Sequence, residues 1–168
     1  MHLPRLLPAV LSLVFTCQVR GADDYQLGPD SMPKPGVPAG KEEKLALPTS
    51  RIFPGADHEA WVYVPAQYDP AKPACLMIFQ DGGGYVNREG GWRVPVVFDN
   101  LIAKKEMPVT IGVFVMHGRV PARDGNAALD RFNRSVEYDG LGDAYARLLL
   151  EELLPEAEKQ KKIGRAHV

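Results

Sequence analysis

The chain is 168 residues long, and its 45% hydrophobic and 24% charged content is that of one ordinary globular domain with room for a hydrophobic core. Twenty Lys and Arg stand against 21 Asp and Glu, a net charge of −1, so the chain has neither the basic surplus that nucleic-acid binding needs nor an acidic tail. Sixteen Gly and 15 Pro point away from a helix bundle and towards a loop-rich α/β fold.

At the start of the chain, Arg5 precedes an apolar run from Leu6 to Phe15, and the small residues Gly21 and Ala22 follow. A basic start, a short apolar stretch and small residues at a cut form the pattern of a secretory signal peptide, here residues 1–21, with cleavage after Gly21 or after Ala22. The run is too short to span a bilayer as a stable helix. Cys17 would suit a lipoprotein cut, but Thr16 is a poor match to the small residue such a site wants. The expected location is therefore secreted or periplasmic, without an anchor. Once Cys17 is removed only Cys75 is left, so no disulfide is expected within the chain, and Cys75 is expected as a small buried residue in a strand.

Residues 22–50 are expected to form an extended arm over the domain, because Pro29, Pro33, Pro35 and Pro38 among several glycines prevent a helix. A partial α/β domain is expected over residues 51–162. Glu59 to Val64 is β-branched and aromatic and stops at Pro65, and the stretch from about Lys44 to Phe53 is expected to pair with it as an antiparallel edge hairpin. Cys75-Leu76-Met77-Ile78-Phe79 and Val109 to Val115 are continuous apolar runs, which predict strands buried on both faces. Between them Val97, Leu101 and Ile102 recur at helical spacing before Lys104 and Lys105, giving a βαβ unit with a right-handed crossover. A last helix is expected from about Gly142 and Asp143, with Tyr145, Leu148, Leu149 and Leu153 on its apolar face and Pro155 ending or kinking it.

The sharpest feature is Gln80-Asp81-Gly82-Gly83-Gly84-Tyr85, directly after the first apolar strand. Glycines allow positive φ and close approach to backbone N–H groups. After a strand of an α/β sheet, such a loop suits an oxyanion hole, in which N–H groups hold the negative oxygen of an attacked ester carbonyl. A plain tight turn is the competing reading. A phosphate cradle is disfavoured, since no Gly-Lys-Ser/Thr ending follows.

Tyr63 to Tyr68, Leu76 to Tyr85, Arg131 to Asp139 and Glu151 to Pro155, in this order, resemble the esterase family related to enterochelin esterases, over about Asp23 to Lys161. The resemblance implies the opening of an α/β-hydrolase sheet, antiparallel strands first and then a parallel βαβ unit. It further implies a serine hydrolase of carboxylic esters with a Ser–Asp/Glu–His triad and no cofactor. The substrate would be a small-molecule or carbohydrate-linked ester. Oxyanion donors are expected at Gly82, Gly83 and Gly84, with Asp81, Tyr85, Arg134, Glu137 and Tyr138 at the substrate. Arg134 and Glu137, three apart, could instead form an ion pair with each other. The fold places its catalytic His late in the chain, so His58 and His117 are expected as ordinary loop residues.

None of the four serines, Ser12, Ser31, Ser50 and Ser135, has the flanking glycines of a Gly-x-Ser-x-Gly elbow. The sheet is expected to be cut before that elbow. The last six residues, Ile163 to Val168, read as the translation of ATC GGA AGA GCA CAC GTC, the body of a common sequencing adapter, and are expected to be a non-native tail. A non-catalytic carbohydrate- or siderophore-binding module on the same fold is the alternative function.

Overall fold

The computed structural model describes residues 26–161; the expected signal peptide, the choice at Cys17 and the adapter-like tail lie outside the described residues. Four strands, β1 (Lys41–Lys44), β2 (Ala60–Val64), β3 (Cys75–Gln80) and β4 (Thr110–Val115), form one mixed sheet in the order β1-β2-β4-β3. The first three in that order are antiparallel neighbours, and β3 runs parallel to β4 from Cys75 opposite Thr110 to Gln80 opposite Val115. The antiparallel start and the parallel pair are those expected from the sequence. The strand paired with β2 is Lys41–Lys44, however, not the stretch from Lys44 to Phe53. Leu45 continues that pairing by one bond to Ala60, and the chain then leaves for loops around Ser50.

Parallel strands need a crossover, and helix α2 (Val94–Ala103) supplies it after the short turn α1 (Gly83–Val86). Lys105 takes φ 61° just beyond the Lys104 cap and stops α2 where expected. Its inward face is Val96, Phe98 and Ile102, while Val97 and Leu101 are only half-buried. Phe98 and Ile102 pack with Tyr63 and Phe114 on one side of the sheet. The other side, with Val62, Ile111, Val113 and Val115, is covered by Leu153 and Ala157 of a C-terminal helix. After a short helix α3 (Arg134–Tyr138), that helix starts as α4 (Ala144–Arg147), loosens into a π-helical stretch (Leu148–Leu153) and resumes as α5 (Leu154–Lys161). Pro155 was expected to end or kink it. The π stretch explains the continuation: proline lacks an N–H and crowds the carbonyl four residues back, and the wider winding relieves that conflict without breaking the helix.

Polar staples fix the segment before β2 to both layers. Asn100 donates its amide to the Asp30 and Met32 carbonyls at 2.8 and 2.9 Å, and the Gly40 N–H and Tyr63 hydroxyl both donate to Asp99 Oδ1, at 2.8 and 2.7 Å. Arg88 joins Asp99, Glu42 and the Gly40 carbonyl. On the other face Ser50 and the N–H groups of Arg51 and Ile52 donate to the Glu152 carboxylate.

One strand departs from expectation. β4 is buried at all six positions, but β3 is not the doubly buried strand its apolar run suggests: Cys75, Met77 and Gln80 are exposed and the rest half-buried. Cys75, expected inside, carries an exposed free thiol. β3 is the sheet's edge, and an apolar run does not tell how many neighbours a strand has. The opposite edge, β1, reads Lys-Glu-Glu-Lys, charges that discourage further pairing. Among the described residues, no helix is long and apolar enough to cross a membrane.

Candidate functional site

At the carboxyl end of a parallel pair, strand carbonyls run out and the following loop faces the crevice where α/β proteins bind ligands. Here β3 ends at Gln80 and the chain turns through Asp81, Gly82 and Gly83. Positive φ was expected at the glycines; instead Asp81 takes it, at 53°, and Gly82 is right-handed at φ −59°. The glycines serve close approach. A Cβ on Gly82 would stand 2.5 Å from the Val115 nitrogen and 2.6 Å from the Phe114 Cα and carbonyl carbon, all backbone of β4. Gly82→Ala is therefore expected to cost about 1–3 kcal/mol by forcing the turn off the sheet, seen as a lowered denaturant midpoint.

The three N–H groups are not equivalent. Gly82 donates to the Val115 carbonyl at 3.0 Å and so extends the sheet. Gly83 donates only to the Met116 sulfur at 3.2 Å, a weak acceptor, and Gly84 reaches the Asp81 carbonyl at a long 3.4 Å. Gly83 and Gly84 thus hold the exchangeable donors of the turn. Tyr85, expected at the substrate, is half-buried with its ring 5.5 Å from Phe79 and 5.2 Å from Trp92, which is 65% exposed.

The second element at this end of the sheet is α3 (Arg134–Tyr138), which follows a small ribbon of β5 (Arg119–Val120) and β6 (Arg131–Phe132) that the sequence reading did not identify. Arg134 and Glu137 do not pair with each other. Arg134 forks onto Asp81, with Nε 3.0 Å and Nη2 2.6 Å from Oδ2. That guanidinium holds the Asp81 carboxyl below the usual carboxylate range. The folded carboxyl thus ionises at lower pH than the unfolded one, so the pair adds stability above the ordinary aspartate range and loses it as pH falls through the lowered value. Both groups are more than a third exposed, so solvent screening keeps that contribution small. The Tyr138 hydroxyl accepts the Asp81 N–H at 3.3 Å, and burial pushes its ionisation upward.

Glu137 turns the other way. Its side chain is fully buried, and its carboxylate lies 3.1 and 3.2 Å from His58 Nε2 and accepts the Gly118 N–H at 3.1 Å. His58, expected as an ordinary loop residue, is thus an interior partner of α3. His117 lies edge-on to Phe132 and to Tyr138, at 5.8 and 6.3 Å between rings, and Tyr138 is edge-on to Tyr145. Neither the His58–Glu137 pair nor this aromatic row carries a local sequence signal, since 79 residues separate His58 from Glu137. Among the described residues no group of three or more His, Cys, Asp or Glu could hold a metal ion.

A mixed sheet whose parallel pair ends in a glycine turn under a polar clamp defines an α/β domain of the kind that builds its ligand site at the strands' carboxyl ends. The model of the family described as Putative esterase matches residues 52–166, well over half of the chain, and the chain belongs to that family of esterase-type hydrolases. No curated protein matches it.

Proposed function

We propose that this chain is the oxyanion-bearing part of a secreted serine-type carboxylic ester hydrolase. The observation that carries the reading is the Gly83 N–H, placed at the carboxyl end of β3 and satisfied only by a thioether. A developing oxyanion is a far stronger acceptor than Met116 sulfur, so the donor gains most when the ester carbonyl is attacked. Gly84 stands next to it with a similarly weak bond. Family membership supports ester hydrolysis, and the apolar run after Arg5 supports secretion.

The contrast between the two sheet edges supports a further strand. β1 is guarded by four charged residues, whereas β3 presents Cys75 to Phe79 with no guarding charge. In this reading a strand beyond residue 162 pairs with β3 and leads into the Gly-x-Ser-x-Gly elbow, whose serine attacks the carbonyl while a later histidine takes its proton. The substrate is a small-molecule or carbohydrate-linked ester.

The test compares the full-length protein with purified residues 23–162 on a p-nitrophenyl ester. Turnover by the full-length protein alone is expected. Turnover by residues 23–162 would overturn the division of the site, and a full-length protein that binds glycosides or siderophores without hydrolysing the ester would establish a binding module instead.

A further inference from the structure

Of three side chains of α3, two converge on one residue, Asp81, and the third, Glu137, turns inward to Gly118 and His58. Arg134 grips its carboxylate and Tyr138 accepts its N–H, at the one non-glycine position of the turn that takes positive φ. Asp81 holds a left-handed backbone, a region costly for any residue with a Cβ and only eased for Asn and Asp, so contacts from outside the turn help to hold it. α3 is only five residues long and cannot hold itself. Its fixed point is Glu137, with no exposed side-chain surface, bonded to the Gly118 N–H and facing His58. Gly118 has no room for a side chain there, since a Cβ would lie 2.5 Å from Glu137 Oε1 and 2.9 Å from both Ala56 Cβ and His58 Nε2. Glu137 is thereby seated against the start of β2 and the end of β4, the same sheet end that carries the glycine turn.

We propose that α3 is a clasp: Glu137 and His58 are positioning residues that hold the Asp81–Gly84 turn in shape through Tyr138 and Arg134, without facing the substrate. The buried pair sets where α3 sits, and α3 sets the backbone of Asp81, from which the Gly83 and Gly84 N–H directions follow. The geometric claim is independent of the reaction; only its kinetic consequence rests on the oxyanion reading.

Amide hydrogen exchange on the full-length protein tests it. Glu137→Ala leaves the Gly118 N–H without its acceptor and His58 without its carboxylate partner. The Asp81, Gly83 and Gly84 amides are expected to exchange about tenfold faster or more, while Ile111 and Val113 in β4 keep their rates. Glu137→Gln can still accept from Gly118 and is expected to restore the wild-type exchange rates. Tyr138→Phe, acting from the other end, should speed Asp81 without affecting Gly118. Turn amides unchanged in Glu137→Ala, or β4 amides accelerated equally, would overturn the clasp. In the same variants kcat should fall with KM nearly constant, because the affected donors act in the transition state. If the turn's amides respond and kcat does not, the oxyanion reading fails and the clasp stands.

Discussion

Gly83→Pro is expected to lower kcat for ester hydrolysis by the proposed hydrolase about 10²–10³-fold while leaving the fold in place. A backbone donor cannot be deleted by changing a side chain, but proline removes it outright. Gly83 is the first residue of α1, the helical position at which proline is best tolerated, because its N–H has no partner within the helix. The bond lost is the one to Met116 sulfur, which contributes little to stability. The added Cβ would meet Met116 Sδ at 3.2 Å and Trp61 Cη2 at 3.8 Å, and a thioether can swing aside. Gly82 precedes the new proline in a right-handed conformation, which proline disfavours, but having no Cβ it removes part of that clash. Gly84→Ala is the control: it keeps its N–H, and its Cβ would meet nothing closer than Trp92 Cδ1 at 4.0 Å. Near-normal kcat is expected there. A Gly83→Pro enzyme within about threefold of wild-type kcat would remove Gly83 from the oxyanion hole, since one such donor is worth far more.

How much of this was legible in the sequence follows from the range over which each signal acts. Strand and helix positions in the sheet were readable because burial imposes a local period, and the end of α2 was readable from Lys104 and Lys105. The edge position of β3 was not, since an apolar run reports a strand's affinity for neighbours and not how many it has. The glycine turn was visible as composition, but its use of glycine for contact with Phe114 and Val115 depends on a strand more than thirty residues away in sequence. The same holds for Arg134. Its three-residue spacing from Glu137 suggested a local pair, yet each side chain pairs elsewhere, with Asp81 on the surface and with His58 and the Gly118 amide inside. The glycine loop was therefore legible as a loop, while the distant contacts that brace it were not.

Phe114→Ala is expected to cost about 3–5 kcal/mol of stability, the range for truncating a fully buried phenylalanine. The ring has no exposed surface and stacks on Phe79 at 4.8 Å with only 11° between planes. It also folds over Gly112, where a Cβ would stand 2.9 Å from Phe114 Cε2 and 3.1 Å from Cζ. Gly112 is thus the floor of the slot that holds the ring, and this predicts a reversal of sign. In the wild-type background Gly112→Ala crowds the ring and is expected to destabilise by about 1–3 kcal/mol. Once Phe114 is alanine, the nearest remaining neighbour is Tyr63 Cβ at 3.6 Å, an ordinary contact. There the added methyl fills part of the cavity and restricts the unfolded chain, so Gly112→Ala is expected to recover roughly 0.5–1 kcal/mol. Urea unfolding of the four proteins in this cycle measures the coupling directly. Additive effects would mean that the ring does not rest on Gly112, and that the aromatic stack under the glycine turn is arranged differently.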